Sequence, residues 1–210
     1  MPQIKDMLVK QIKERGISNQ DILDAMMKYP RELFVDDALK DRAYDDSPLP
    51  IGFGQTISQP YIVAFMLELL ELEKKHDVLE IGAGSGYQAA LLSSLVNSVI
   101  ALELIPKLGQ QAQQRCEDLG IKNLKIRISD GYQGWPKNAP YDRIIVAAAA
   151  EAIPQQLLAQ LKPEGILVIP IGKQMKTQEL QIIRKDCDGN IQMSKSLDVR
   201  FVPLVKPKYK

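Results

Sequence analysis

The sequence predicts an α/β fold in which helices cover both faces of a mostly parallel central sheet. Between residues 77 and 171, short apolar segments of strand length alternate with longer segments of helical periodicity. A glycine-rich turn follows the first strand, and a helical extension precedes it. Such alternation is typical of parallel sheets with right-handed crossovers, whose ligands bind at the carboxyl ends of the strands.

The alternating region contains five predicted strands and three predicted helices. The strands are 77–81, 98–103, 124–129, 143–148 and 165–171, and the helices fall near 86–95, 105–119 and 154–161. After Gly172 the pattern indicates two antiparallel strands, 179–185 and 191–200, separated by the turn signal Asp188-Gly189-Asn190. The basic tail, 206–210, is expected to be a solvated end.

Residues 1–50 have the pattern of a helical region. Apolar residues recur at helical spacing from Ile4 to Ile12, and Gly16 ends that segment. Ser18 and Asp21 resemble a capping box that opens a second helix through residue 27, and a third short helix is expected over 36–42. An irregular loop, 52–60, then leads into a helix over 60–72.

The composition is ordinary for a soluble globular protein and suits a single domain. Of 210 residues, 45% are apolar and 25% are charged. The formal net charge of +1 gives no broad attraction to nucleic acid or to an anionic membrane. No apolar run approaches the ~18 residues that span a bilayer. Two cysteines and one histidine provide neither a disulfide framework nor the usual tetrahedral metal site. We therefore expect a monomeric cytoplasmic enzyme without a metal.

The chain is organised around the stretch from Val78 to Tyr87, a buried strand followed by glycines spaced G-x-G-x-G. A dinucleotide-binding turn reads G-x-G-x-x-G/A, and Tyr87 stands where its last small residue would fall, which argues against a nicotinamide or flavin dinucleotide. Glu103 ends the next strand, about twenty residues beyond the first glycine of the turn. A carboxylate at that position can accept hydrogen bonds from ribose hydroxyls. These features resemble the first two βα units of a Rossmann-like S-adenosylmethionine-dependent methyltransferase; a merely structural turn is the alternative.

Six stretches of the chain resemble one particular family of methyltransferases. They are Gln55–Pro60, Val78–Gln88, Pro140–Val146 and Gly165–Gly172, with shorter likenesses at Pro30–Val35 and Val199–Leu204. Together they resemble the protein-L-isoaspartate (D-aspartate) O-methyltransferases over almost the whole chain. The glycine motif is common to very many methyltransferases, whereas Gln55–Pro60 is far more specific. The chain departs from the family after the fourth strand, where two prolines often stand but Ala147-Ala148-Ala149-Ala150-Glu151 is found, with only Pro154 kept.

The resemblance implies methyl transfer from S-adenosylmethionine to the free α-carboxylate of L-isoaspartyl, and D-aspartyl, residues in damaged proteins. Their repair would start in this way, through a succinimide, and the cofactor would leave as S-adenosyl-L-homocysteine. A carboxylate has an unperturbed pKa near 4 and is already ionised at neutral pH, so no general base is needed. The implied partners are damaged proteins and peptides, with no nucleic acid and no membrane. The domain would comprise a helical extension with the active-site loop (1–60), a cofactor-binding core (61–172) and C-terminal strands with a tail (173–210).

The resemblance also assigns residues to the cofactor. The N–H groups around Gly82, Ala83, Gly84 and Gly86 would line its methionine portion, Glu103 would accept hydrogen bonds from the ribose, and Asp130 with Gly131 would reach the adenine amino group. Glu80 is expected to orient the glycine loop. A turn-forming role for Asp130 is the alternative.

On the substrate side, Ser58 is the expected catalytic residue, because its hydroxyl can orient the acceptor carboxylate or the cofactor by a hydrogen bond. Thr56 and Ile57 would flank it, and Val199 with Arg200 would contact the substrate peptide. The alternatives are a helix N-cap for Ser58 and a structural ion pair for Arg200.

Other functions have less support in the sequence. A serine hydrolase needs a histidine base, and His76 precedes the first strand at the wrong edge of the sheet, where we expect a surface turn. A methyltransferase acting on RNA would call for a basic stripe, which the near-neutral charge does not indicate. A methyltransferase for a small molecule, an NAD-dependent oxidoreductase and a non-catalytic binding module are the remaining alternatives.

Overall fold

The computed structural model describes residues 2–173 and 176–207. Its strands are β1 (Leu49–Pro50), β2 (Thr56–Ile57), β3 (Asp77–Ile81), β4 (Ser98–Glu103), β5 (Leu124–Ile128), β6 (Tyr141–Val146), β7 (Leu161–Ile171), β8 (Gln178–Lys185) and β9 (Ile191–Val199). Its α-helices are α1 (Pro2–Met7), α2 (Gln20–Lys28), α3 (Pro60–Leu69), α4 (Tyr87–Leu95), α5 (Pro106–Asp118) and α6 (Gln155–Ala159). Residues 208–210 of the expected solvated tail lie outside the described part.

Within those described residues, seven strands form one sheet in the order β5-β4-β3-β6-β7-β8-β9, and β1 pairs with β2 in a separate antiparallel hairpin. Strands β3 to β7 are parallel to their neighbours, whereas β8 is antiparallel to β7 and to β9. The predicted mostly parallel sheet with antiparallel C-terminal strands is confirmed. The strand order reverses between β3 and β6, and ligands bind beside such a switch point, outside the carboxyl ends of the strands.

The sheet has a hydrophobic core on each face, as expected from its uninterrupted apolar strands. Val78 of β3 belongs to the core that also contains apolar residues of α2, α3 and α4. Leu79 and Ile81 belong to the opposite core, which Leu157 of α6 completes. Because successive side chains of a strand point to opposite faces, β3 is covered on both sides and lies at the centre of the molecule. The glycine turn follows at its carboxyl end.

The N-terminal region differs from the prediction in its details. The second helix is capped by Asn19 rather than Ser18: Asn19 Oδ1 accepts hydrogen bonds from the N–H groups of Asp21 (3.0 Å) and Ile22 (3.4 Å). Both residue types cap helices well, so the sequence alone did not distinguish them. The first helix continues past α1 as a π turn (Leu8–Ile12), and the expected third helix is a 3₁₀ helix, Asp37–Arg42.

His76 precedes β3 at the amino end of the sheet, but the expectation of a surface residue is wrong. The residue is only 3% exposed. Nδ1 accepts a hydrogen bond from the Glu73 N–H group at 3.0 Å, and the His76 carbonyl accepts one from Asn97 at 2.9 Å. The turn therefore folds the imidazole inward. No helix of the described chain is long and apolar enough to cross a membrane.

Candidate active site

The glycine turn joins β3 to α4 through residues in the left-handed region of backbone space. The φ angle is +89° at Gly82, +54° at Gly84 and +87° at Gly86, values that other residue types adopt only with strain. The N–H groups of Gly82 and Ala83 both donate to the carbonyl of Leu102, at 2.8 and 2.9 Å, and Gly86 N donates to the carbonyl of Ala83 at 2.8 Å. These donors thus have partners within the chain, and what the turn offers a ligand is open space against its backbone.

Glu103 ends β4 and holds the turn from the side. Its Oε2 accepts a hydrogen bond from Gly84 N at 2.8 Å, and its Oε1 accepts one from Ile105 N at 2.9 Å. The residue is 7% exposed and lines the cleft beside the turn. Each carboxylate oxygen has a further lone pair, so Glu103 can accept hydrogen bonds from ligand hydroxyls while the backbone keeps it in place.

This cleft, which we call the turn cleft, opens at the carboxyl ends of β3, β4 and β6. The residues that line it are Gln55, Thr56, Ile81, Gly82, Gly84, Leu102, Glu103, Leu104, Ile105, Ser129, Gly131, Ala147, Ala148, Val202, Pro203, Leu204 and Val205. Its walls are mostly apolar, and they include residues of the hairpin, Gln55 and Thr56, and of the C-terminal segment 202–205. Sequence reasoning missed the contribution of 202–205, because no local motif marks that segment as part of the cleft.

Asp130 and Gly131 follow β5 but differ in their surroundings. Gly131 lines the turn cleft, where an added Cβ would lie 2.4 Å from Ile81 Cγ2. Asp130 Oδ1 accepts a hydrogen bond from Tyr132 N at 2.9 Å and so caps the 3₁₀ turn Gly131–Gln133. The turn-forming interpretation of Asp130 is therefore confirmed, while its contact with an adenine stays a prediction.

Ser58 lies in a neighbouring cavity of about 400 Å³ between the start of α3 and the end of β9. The cavity is lined by Pro48, Ser58, Gln59, Ile62, Thr177, Asp198, Val199, Arg200 and Phe201. Val199 is buried, whereas Arg200 is exposed. In the described part of the chain Arg200 forms no ion pair, so the structural ion pair considered for it is not found. The structure thus brings Ser58, Val199 and Arg200 to one cavity.

The hydroxyl of Ser58 is not used to cap a helix. The N-cap residue of α3 is Gln59, and no side chain caps that helix end. The N-cap interpretation of Ser58 is therefore wrong. Thr56 and Ala147 line the turn cleft and also the adjoining cavities that contain Ser58, so the two binding spaces meet at these two residues.

A tight hairpin carries Ser58 to this position. Its strands β1 and β2 were missed in the sequence because each has only two residues, with Leu49 opposite Ile57. Gly52, Phe53 and Gly54 form its tip with φ angles of +86°, +53° and +70°. The part of the hairpin that contains Ile51 contacts the glycine turn, since a Cβ on Gly84 would lie 3.2 Å from Ile51 Cδ1.

Glu80 lines a cavity that also contains Ser58, and it is fully buried. Its Oε1 accepts a hydrogen bond from Gln88 Nε2 at 3.0 Å, and its Oε2 has no partner among the described residues. The expectation that Glu80 orients the glycine loop is wrong, because its contact is with α4. Burial raises the pKa of this carboxyl to about 8, and the charge of Glu103 acts in the same direction. No cluster of potential metal ligands is found within the residues described.

Comparison with known proteins identifies the family. The family model described as protein-L-isoaspartate(D-aspartate) O-methyltransferase matches residues 3–209. A protein-L-isoaspartate O-methyltransferase from a Synechococcus strain is 50% identical over 209 residues, which are 97% of this chain and 85% of the relative.

Two solved structures match nearly the whole of this chain. A protein-L-isoaspartate O-methyltransferase superimposes with a TM-score of 0.88 at 31% identity, and the match covers 97% of this chain and 66% of that one. A protein from Plasmodium falciparum, described as a protein-L-isoaspartate O-methyltransferase and solved with S-adenosyl-L-homocysteine, gives a TM-score of 0.82 at 27% identity and covers 98% of both chains. The chain belongs to the protein-L-isoaspartate (D-aspartate) O-methyltransferase family.

Proposed function

We propose that this protein transfers a methyl group from S-adenosylmethionine to the free carboxylate of damaged aspartyl residues in proteins, which is the α-carboxylate of an L-isoaspartyl residue and the side-chain carboxylate of a D-aspartyl residue. One observation carries the proposal: the turn cleft and the cavities around Ser58 share Thr56 and Ala147 as lining residues. A methyl donor in the first space and a carboxylate in the second would face each other there. Membership of the family supports this activity.

The residues of the turn cleft fit S-adenosylmethionine, whose sulfonium supplies the methyl group and the leaving group. Glu103 has lone pairs for the ribose hydroxyls, and Ile105 and Leu204 offer apolar surface to an adenine ring. Gly82 and Gly84 leave the backbone open to the methionine portion. The relative from Plasmodium falciparum, solved with S-adenosyl-L-homocysteine, supports this choice of cofactor.

On the acceptor side, we assign Ser58 the role of donating a hydrogen bond to the substrate carboxylate. The carboxylate is ionised at neutral pH, so the protein has to position it rather than deprotonate it. Holding the reacting oxygen in line with the methyl group accounts for a large part of the rate in reactions of this kind. Thr56 lies between the two spaces, and the exposed guanidinium of Arg200 can attract the acidic substrate.

The product methyl ester explains the link to repair. An ester carbonyl is more electrophilic than a carboxylate, so the main-chain nitrogen of the following residue can attack it. Methanol leaves and a succinimide forms. This step requires no side chain of the enzyme. The partners we propose are therefore proteins and peptides with L-isoaspartyl residues; action in the cytoplasm as a monomer, without nucleic acid, stays a prediction from composition.

The test uses two peptides of one sequence, with either an L-isoaspartyl or an ordinary L-aspartyl residue, and labelled S-adenosylmethionine. Methyl transfer should occur on the isoaspartyl peptide alone, because only that acceptor carboxylate branches from the main chain in the required way. Equal labelling of both peptides, or of neither, would contradict the proposal. Transfer onto RNA instead would favour a methyltransferase with another substrate.

A further inference from the structure

Arg31 is a buried cation directly behind the loop that contains Ser58. It begins the 3₁₀ turn Arg31–Phe34 and is 0% exposed. Its Nη1 donates to the carbonyl of Ala43 at 2.5 Å, and its Nη2 donates to the carbonyls of Ser47 (3.0 Å), Ser58 (3.0 Å) and Ile57 (3.4 Å). One side chain therefore connects the N-terminal helical extension to the two residues that precede the N-cap of α3.

Stability alone does not account for a charge at this position. Removing a guanidinium from water is costly, and buried cations are normally paired with a carboxylate. Within residues 2–173 and 176–207, Arg31 forms no ion pair, and its buried Nε has no partner. Well-packed apolar side chains of similar volume would stabilise such a site equally well or better.

We propose that Arg31 is a positioning residue for methyl transfer, which fixes the carbonyls of Ile57 and Ser58 and thereby the direction of the Ser58 hydroxyl. The planar guanidinium can bind carbonyls on both sides of its fork at once, which a lysine ammonium cannot do. The effect is confined to the acceptor side, because Glu103 and the glycine turn are held by hydrogen bonds of their own. This inference rests on the proposed function and on the role assigned to Ser58.

The chain contains a matched control for this arginine. Arg143 is also buried, at 8% exposure, and its guanidinium also binds main-chain carbonyls, with Leu70 at 2.5 Å, Asp142 at 2.9 Å, and Glu71 and Glu164 at 3.3 Å. It lies near the start of β6, at the edge of the sheet opposite the cleft. Replacing it removes similar hydrogen bonds from a site that is remote from Ser58.

The experiment compares Arg31→Gln, Arg31→Lys and Arg143→Gln with the wild-type protein. We measure kcat and KM with an isoaspartyl peptide, Kd for S-adenosyl-L-homocysteine, and Tm.

Arg31→Gln should lower kcat/KM by ~100-fold, the order that a misplaced reacting group costs, and Arg31→Lys by less. The Kd of either Arg31 variant should change by less than about threefold, the scatter expected of an uncoupled site. Arg143→Gln should lower Tm, while its kcat/KM should change by less than about threefold. If Arg31→Gln does not fold, the kcat/KM and Kd of Arg31→Lys test the inference in its place.

A double-mutant cycle separates positioning from a general loss of structure. If Arg31 acts through the Ser58 hydroxyl, adding Arg31→Lys to Ser58→Ala should lower kcat/KM little beyond Ser58→Ala alone. Independent losses that multiply would overturn the inference, as would an equal loss of kcat/KM in Arg143→Gln. A wild-type protein that does not methylate the peptide would refute the proposed function itself. An active wild type with fully active Arg31 variants would refute only this inference.

Discussion

The buried carboxyl of Glu80 makes the stability of the protein depend on pH. Burial raises its folded-state pKa to about 8, whereas a glutamate in an unfolded chain has a pKa of about 4.3. Between these two values the folded protein retains a proton that the unfolded chain has lost. Stability therefore falls as the pH rises through this window, and the contribution is fully present only below the unfolded pKa.

Replacing Glu80 by Gln should remove this dependence. The amide can still accept the hydrogen bond from Gln88 Nε2, and it has no charge to lose. We expect the Tm of Glu80→Gln, relative to that of the wild-type protein, to increase from about pH 5 to about pH 8. Thermal unfolding followed by circular dichroism at several pH values measures this. The exposed control Glu14→Gln should run parallel to the wild type; a constant difference for Glu80→Gln would show that the carboxyl titrates normally.

Single residues were predictable from the sequence only where a motif marks them. Glu103 was found by its distance from the glycines, and Ser58 by the resemblance of its loop. Arg31 lies in Pro30–Val35, a stretch that resembles the family. Nothing near it in the sequence indicates that its partners are the carbonyls of Ser47, Ile57 and Ser58. Contacts between segments so far apart in the chain arise only from the fold.

At the scale of elements, position 86 in the turn between β3 and α4 requires glycine for two separate reasons. Its φ angle is +87°, and an added Cβ would lie 3.3 Å from both Ala112 Cβ and Cys116 Sγ of α5. Gly189, in the turn between β8 and β9, has a similar φ angle of +89° but no atom within 4 Å of the added Cβ. The two glycines thus share a left-handed backbone conformation and differ in crowding.

Gly86→Ala should therefore destabilise the protein more than Gly189→Ala. The left-handed conformation costs roughly 1–2 kcal/mol for a residue with a Cβ in either variant. Overpacking against α5 should add about 1–3 kcal/mol at Gly86 alone. The free energies of unfolding of both variants can be measured by urea titration. Equal losses would mean that α5 moves away freely and that only the backbone conformation requires glycine at this position.

Most of the longer elements were predicted closely, but β7 begins at Leu161, four residues earlier than expected and inside the predicted helix 154–161, because α6 ends at Ala159. β3 and β4 begin and end at the predicted residues, because their apolar runs are bounded by polar residues and glycine. β6 begins at Tyr141, two residues earlier than expected, and α3 ends at Leu69. The hairpin of β1 and β2 was taken for an irregular loop, because two-residue strands show no periodicity. Its contacts also come from segments distant in the sequence, since the carbonyl of Ile57 accepts a hydrogen bond from Arg31 and Ile51 lies against the glycine turn.

At the scale of the whole molecule, the C-terminal segment returns to the sheet and lies beside the turn cleft. Ala149 N donates to the carbonyl of Val202 at 2.8 Å, Leu204 N donates to the carbonyl of Ala149 at 2.7 Å, and Tyr132 Oη donates to the carbonyl of Leu204 at 3.1 Å. These three hydrogen bonds attach the C-terminal segment to the wall of the turn cleft. The division of the chain at residues 60 and 172 stays a prediction.

Truncation after Arg200 should consequently weaken cofactor binding. It removes Val202 and Leu204 from the lining of the turn cleft and opens the cleft to water. We expect the Kd for S-adenosyl-L-homocysteine to rise at least about tenfold, which corresponds to the loss of ~1.4 kcal/mol of binding free energy. Truncation after Val205 is the matched control, because it keeps every residue that lines the cleft and removes only 206–210. Isothermal titration calorimetry on both proteins measures the effect. An unchanged Kd in the shorter protein would show that the C-terminal segment covers the cleft without contributing to affinity, and an equal rise in both would assign the effect to the basic tail.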